Sequence, residues 1–294
     1  MDGADVAPRW EDKYWTSRDG LRLHYRDYDG PGDRPPLLML HGLTRNSRDF
    51  ENVAARHSGK WRVIAVDFRG RGMSEHDPNS GNYQPGTYAM DVLQLLDQLG
   101  IERAVFLGTS LGGLVTMVVA TLQPQRIAGA LLNDIGPDVD PTGIERIASY
   151  VGTPLVFRDW DDAAAQFRER SGDIHPAYGD AEWKRYARRV SRETDRGIEL
   201  DYDMRIAEPF AAGNTGAAVD GWVFYRALAG RPVLVLRGAM SDLLPEASVE
   251  RMASEIPDVE IVTVPNVAHA PDLDEPEAVA AIDRLLDRVL KAAA

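Results

Sequence analysis

The chain has 294 residues, with 33 Lys+Arg against 46 Asp+Glu, a formal net charge of −13, six His and no Cys. That balance offers no basic face to neutralise phosphates and excludes a nucleic-acid partner, while the missing cysteines exclude disulfides, thiolate nucleophiles and Cys-ligated metals. A hydrophobic share of 44% suits a large globular core, and neither a leader-like segment nor a membrane-spanning apolar run is found, so a cytoplasmic protein with no membrane partner is expected.

In chain order, the alternation in Leu21-Arg22-Leu23-His24-Tyr25-Arg26 predicts an antiparallel edge hairpin. Short, continuous apolar runs follow at Pro36–Leu40, Trp61–Val66, Ala104–Leu107, Ile127–Leu132, Pro232–Leu236 and Glu260–Val264. Runs of this kind fit strands covered on both faces in a parallel sheet. Between them lie helical patterns. Tyr88–Leu99 ends at Gly100, Leu111–Leu122 is apolar almost all round, and Pro276–Leu290 opens on a proline. Strands alternating with helices predict an α/β fold, a mostly parallel doubly wound sheet.

From Pro137 to Gly230 no buried-strand run is found. Helical stretches at Asp159–Arg170, Ala181–Thr194 and Ala217–Leu228 predict a helical lid inserted between two strands of the sheet. The expected division is a core of 1–136 and 231–294 with a cap of 137–230. The cap is rich in aromatics, Phe167, Tyr186, Trp222 and Tyr225 among them. Most should pack the cap onto the body, and some should wall an apolar substrate pocket.

Gly108-Thr109-Ser110-Leu111-Gly112 follows a predicted strand and opens a predicted helix. This G-x-S-x-G in a strand–turn–helix setting is the arrangement that exposes a serine hydroxyl at the edge of a sheet. A serine needs a base, and His269, between the last strand and the last helix, fits best. His24, His57 and His76 lie on early elements or a loop, and His175 reads as a solvated cap histidine. The base in turn needs an acid. Asp242, after the penultimate strand, gives the order Ser110, Asp242, His269. Asp134 also ends a strand and is the main competitor, read here as closing a turn before Gly136-Pro137. The backbone amides of Leu43 and Leu111 are the expected oxyanion donors, and His41 is expected to be a structural hydrogen-bonder.

These residues resemble the α/β-hydrolase superfamily in its lid-bearing serine esterase, lactonase and C–C hydrolase branch. The resemblance rests on His41-Gly42, Asp67-Phe68-Arg69-Gly70-Arg71-Gly72-Met73-Ser74, the Ser110 elbow with Gly112-Gly113, Asp242 and His269. It implies a carboxylesterase or lactonase acting on a small, largely apolar substrate through an acyl-enzyme. It also implies that the Asp67–Ser74 stretch is a structural turn near the site. No metal or other cofactor is implied. The alternatives are a C–C bond hydrolase, which a cap arginine such as Arg188 or Arg189 facing the pocket would favour, and a ligand-binding receptor on the same fold.

Overall fold

The computed structural model describes residues 10–211 and 220–293. Strands β1 (Trp10–Thr16) and β2 (Arg22–Tyr28) pair antiparallel as the edge hairpin, with Trp15 opposite Leu23. The chain then alternates through β3 (Leu37–Leu40), α1 (Glu51–His57), β4 (Val63–Val66), α2 (Pro85–Gln98), β5 (Ala104–Thr109), α3 (Leu111–Leu122) and β6 (Ile127–Asn133). After β6 come α4 (Pro141–Ala148), β7 (Val156–Phe157), α5 (Trp160–Ser171), α6 (Asp180–Val190), β8 (Ser191–Thr194), β9 (Gly197–Leu200), α7 (Ala207–Ala211) and α8 (Gly221–Arg226). The body resumes with β10 (Val233–Gly238), α9 (Glu246–Glu255), β11 (Glu260–Val264) and α10 (Pro276–Ala293).

The body sheet runs β1-β2-β4-β3-β5-β6-β10-β11, parallel from β4 to β11. Continuous apolar strands follow from burial on both faces. Leu38, Ile64, Phe106 and Leu132 face the core under α2 and α3, while their neighbours Leu37, Val63, Val105 and Leu131 face the core under α1 and α10. Helix α2 starts on Pro85 and gives way to Gly100 at φ +63°, a left-handed position that suits glycine.

The segment between β6 and β10 is not purely helical. Helix α5 follows its expected stretch, capped by Asp159, whose side chain accepts from the amides of Asp161 and Asp162. The stretch expected as one helix over Ala181–Thr194 instead divides into α6 and β8. Strand β8 turns through Gly197, at φ +126°, into β9, and with β7 they form a three-stranded antiparallel sheet. Of the helix expected over Ala217–Leu228, residues 217–219 lie outside the described residues and Gly221–Arg226 is helical.

The insertion divides its aromatic residues. Phe157, Phe167 and Trp183 make a small core of its own, whereas Trp222 and Tyr225 pack into the body core beneath α3. Polar ties join it to the body. Asn46 Nδ2 donates to the Arg189 carbonyl at 2.8 Å, and Arg48 pairs with Asp201 at 2.6 Å. The Gly72 amide donates to the Asp201 carbonyl at 3.1 Å, and the Ala268 amide to Ile174 at 3.1 Å. No helix among the described residues is long and apolar enough to cross a membrane.

Candidate active site

Three strand ends converge at the C-terminal edge of the sheet, where open α/β sheets place their ligands. Ser110 lies between β5 and α3 at φ +50° and ψ −114°, a strained conformation held by its neighbours. Its amide donates to the Asn133 carbonyl at 3.0 Å, and its carbonyl accepts from Gly113 at 2.9 Å. The flanking glycines are required by close approach. A Cβ on Gly108 would lie 2.4 Å from the Gly112 carbonyl oxygen, and one on Gly112 would lie 2.0 Å from that of Leu40.

His269, on the loop after β11, approaches Ser110 Oγ with Nε2 at 2.9 Å. Its Nδ1 lies 2.7 Å from Asp134 Oδ2, the geometry in which Nδ1–H donates to a carboxylate and Nε2 accepts from the serine. The expected acid, Asp242, is not there. Its carboxylate is gripped by Arg146 of α4 at 2.5 and 2.8 Å, and that guanidinium holds it below the usual carboxylate range.

The physical reason is local. Strands β6 and β10 are neighbours, so both acids emerge side by side, but Asp134 directly follows the last residue of β6. It adopts φ +55°, and its side chain is fully buried. The β10 loop turns donors toward it: the Gly238 amide at 2.8 Å and Ser241 Oγ at 2.6 Å. Ser241 Oγ in turn accepts from the amides of Leu243 and Leu244 at 3.2 and 3.1 Å. Asp134 therefore does close a turn, as the sequence suggested, and orients His269 as well. The His269 loop is held by Asn133, whose Nδ2 donates to the Pro271 carbonyl at 2.8 Å.

Among the described residues, the Leu43 and Leu111 amides donate to no protein group, which leaves both free for an oxyanion. Gly42 is close to the serine: a Cβ there would be 3.8 Å from Cβ of Ser110. The Asp67–Ser74 turn supports this loop, since Arg71 Nε donates to the Leu43 carbonyl at 3.0 Å. Asp67 accepts from the amides of Ser47 at 2.6 Å and Met73 at 2.9 Å. His41 is fully buried, with Nδ1 2.7 Å from the Gly42 carbonyl and Nε2 accepting from the Phe68 amide at 3.0 Å. Burial pushes its pKa down to about 4, so it remains a neutral clamp on the backbone.

A cavity of about 460 Å³ opens over Ser110 and His269. Its apolar wall includes Phe167, Ile174, Val190 and Leu273, and its polar wall includes Arg45, Asp49, Arg146, His175, Tyr186 and Asp272. Neither Arg188 nor Arg189 lines it. Arg188 lies over the Trp160 ring, and the cap arginines at the cavity are Arg146 of α4, held by Asp242, and Arg170 of α5, which donates to no group among the described residues. His175 is not the solvated residue its sequence context suggests. It is 7% exposed, stacked on Tyr178 and facing the cavity. Among the described residues no group of three or more His, Asp or Glu could hold a metal ion.

A model described as the Alpha/beta hydrolase family matches residues 37–282. The chain is 35% identical over 268 residues to a 3-hydroxybutyrate-oligomer hydrolase from Cupriavidus necator, spanning 88% of this chain and 90% of that protein. It is 29% identical over 251 residues to a 2-(acetamidomethylene)succinate hydrolase from Mesorhizobium japonicum, spanning 84% and 85%. Among solved structures, an alpha/beta hydrolase from Novosphingobium aromaticivorans superposes with a TM-score of 0.92 at 52% identity, covering 96% of this chain and 99% of that one.

Proposed function

The chain is a hydrolase that belongs to the alpha/beta hydrolase family, and on that premise we propose that it cleaves carboxylic esters or lactones through an acyl-enzyme on Ser110. The observation that carries this reading is the hydrogen-bond line from Ser110 through His269 to Asp134, at 2.9 and 2.7 Å, opening onto the cavity. The relative from Cupriavidus necator adds support, because oligomers of a hydroxy acid are joined by ester bonds.

In this mechanism Ser110 Oγ attacks the ester carbonyl while its proton passes to His269 Nε2. The new C–O bond places negative charge on the former carbonyl oxygen, which the amides of Leu43 and Leu111 receive. The imidazolium is balanced by Asp134, and it returns its proton to the leaving alkoxide as the old C–O bond breaks. A water molecule then gives up a proton to His269 and attacks the acyl-enzyme, releasing the acid and restoring Ser110. The Gly238 amide and Ser241 Oγ donate to the same carboxylate and hold it in place against His269.

One observation favours a second reaction. Arg170, which has no acidic partner among the described residues, would give a substrate carboxylate a place at the cavity, as a C–C hydrolase of an acidic ring-cleavage product requires. The arginines first considered for that role, Arg188 and Arg189, do not line the cavity, which leaves ester cleavage the stronger reading.

The test is a panel of p-nitrophenyl esters, lactones and an acidic vinylogous diketone, run with a fluorophosphonate label. Ser110→Ala should lose the label and lower turnover by at least about 10⁴-fold. Labelling that survived at another serine would overturn the assignment.

A further inference from the structure

The cavity over Ser110 holds three polar side chains that ester cleavage leaves idle. Arg45 spends Nε and Nη2 on the Asp49 carboxylate, both at 2.7 Å, with its guanidinium 4.6 Å from the Tyr186 ring centre. Its Nη1 donates to no group among the described residues. His175 is more than nine-tenths buried, yet its Nδ1 has no partner. Its ring is locked in place, stacked on Tyr178 at 4.4 Å and nearly parallel. Asp272 lines the same cavity, and its own amide donates to Glu275 at 2.9 Å, but no described group donates to its carboxyl. Of the three only His175 is buried, and a buried polar group left unpaired costs free energy and calls for an explanation; a ligand held with the half-buried Arg45 and Asp272 is one.

We propose that Arg45, His175 and Asp272 form a subsite that binds a hydroxyl group of the substrate, making hydroxy esters the preferred substrates of Ser110. This rests on the ester reading above and deepens it.

Charge selects a hydroxyl over a carboxylate. Arg45 is already neutralised by Asp49. Burial pushes Asp272 up to about 8, against the pull of Arg45 and with Glu275, Asp49 and Asp274 adding to the rise. Burial likewise pushes His175 down to about 4. Near pH 7 Arg45, Asp49, His175 and Asp272 together therefore carry no surplus positive charge, so a carboxylate would find its cation at Arg170 and not among these groups. Hydrogen bonding points the same way. Arg45 only donates, whereas a protonated Asp272 and a neutral His175 each donate and accept. A hydroxyl, which also does both, completes the set.

Position puts the hydroxyl in the same cavity as the reacting ester. Arg45 follows Leu43 by two residues and Asp272 follows His269 by three, and both line the cavity that opens over Ser110.

The Ser110→Ala variant keeps an ester intact and permits direct binding measurement. Ethyl 3-hydroxybutyrate and ethyl butyrate should be titrated against it at pH 7. The hydroxy ester should bind at least about tenfold more tightly than the butyrate, since a site built for a hydroxyl discriminates against its absence. Adding Asp272→Leu should bring that ratio to about one. Adding Asp272→Asn, whose amide donates and accepts as the neutral acid does, should keep most of it, and His175→Phe should lower it. Circular dichroism checks the folding of each variant. Equal affinities of the hydroxy ester and the butyrate in Ser110→Ala, or a preference that outlasts Asp272→Leu, would each overturn the subsite. Hydroxyl-selective binding with no turnover of any ester by the unmodified protein would instead overturn the ester reading and leave the subsite standing.

Discussion

The body sheet and the cap between β6 and β10 are built by different rules. The central body strands β3, β4, β5, β6 and β10 are sealed on both faces, so their residues have one acceptable character, and mostly small or apolar side chains fill them. The cap has a core of only a few side chains, Phe157, Phe167, Trp183 and Ile198 among them, and is otherwise tied down by polar contacts. The body therefore fixes the geometry of Ser110, His269 and Asp134, while the cap closes the cavity over them and contributes Phe167, Arg170, His175 and Tyr186 to its wall.

The contrast predicts unequal responses to substitution. The largest effect should follow Gly112→Ala, which drives a Cβ against the backbone of β3 and forces apart the strand and helix that carry the elbow. The expected cost is about 3 kcal/mol or more, with loss of both the native circular dichroism signal and fluorophosphonate labelling. Trp183→Ala, at a side chain only 2% exposed, instead removes a large block of apolar packing, and does so from the cap. Labelling of Ser110 should survive it while the relative rates across the ester panel change. Equal loss of labelling in both variants would break the contrast.

A smaller effect concerns Asp272, at the boundary between the two regions. Its carboxyl is raised from 3.8 to about 8 by burial, so the native protein holds a proton that the unfolded chain releases at lower pH. The stability this proton contributes is fully present below about pH 4 and is lost as pH rises through about 8. Asp272→Asn removes that dependence. Its thermal midpoint should exceed that of the unmodified protein by at least ~3 °C at pH 8.5, with the gap narrowing toward pH 5. A gap that widened on acidification would show that Asp272 is ionised in the folded protein.

Legibility in the sequence follows the same division. Continuous runs such as Leu37–Leu40 and Val63–Val66 could only be doubly covered strands, and the Ser110 elbow was readable because its glycines are demanded by backbone contact. The β8–β9 hairpin was not readable. Its strands are four residues each, β8 polar and partly exposed and β9 burying only Ile198, and only the Asp195-Arg196-Gly197 turn marked it. His175 was misread because its burial comes from Tyr178 and Trp183 packing around it, which no local pattern displays. The acid was misassigned because Asp134 and Asp242 both follow strands. Which carboxylate reaches His269 depends on the pairing of β6 with β10 and on Arg146, far away in sequence, claiming Asp242.

The assignment of Asp134 is also where the account is most directly exposed to test. Asp134→Asn and Asp242→Asn should be compared by kcat on one ester at pH 7 to 9, with circular dichroism to confirm folding. Asn at 134 can still accept from the Gly238 amide through its oxygen, but its NH2 group then faces Ser241 and His269 Nδ1 and favours the wrong tautomer of His269, so kcat should fall by about 10⁴-fold, as the serine-protease precedent indicates. Asn at 242 loosens the tie to Arg146 and should change kcat by no more than about tenfold. A live Asp134→Asn enzyme beside a dead Asp242→Asn enzyme would contradict the account.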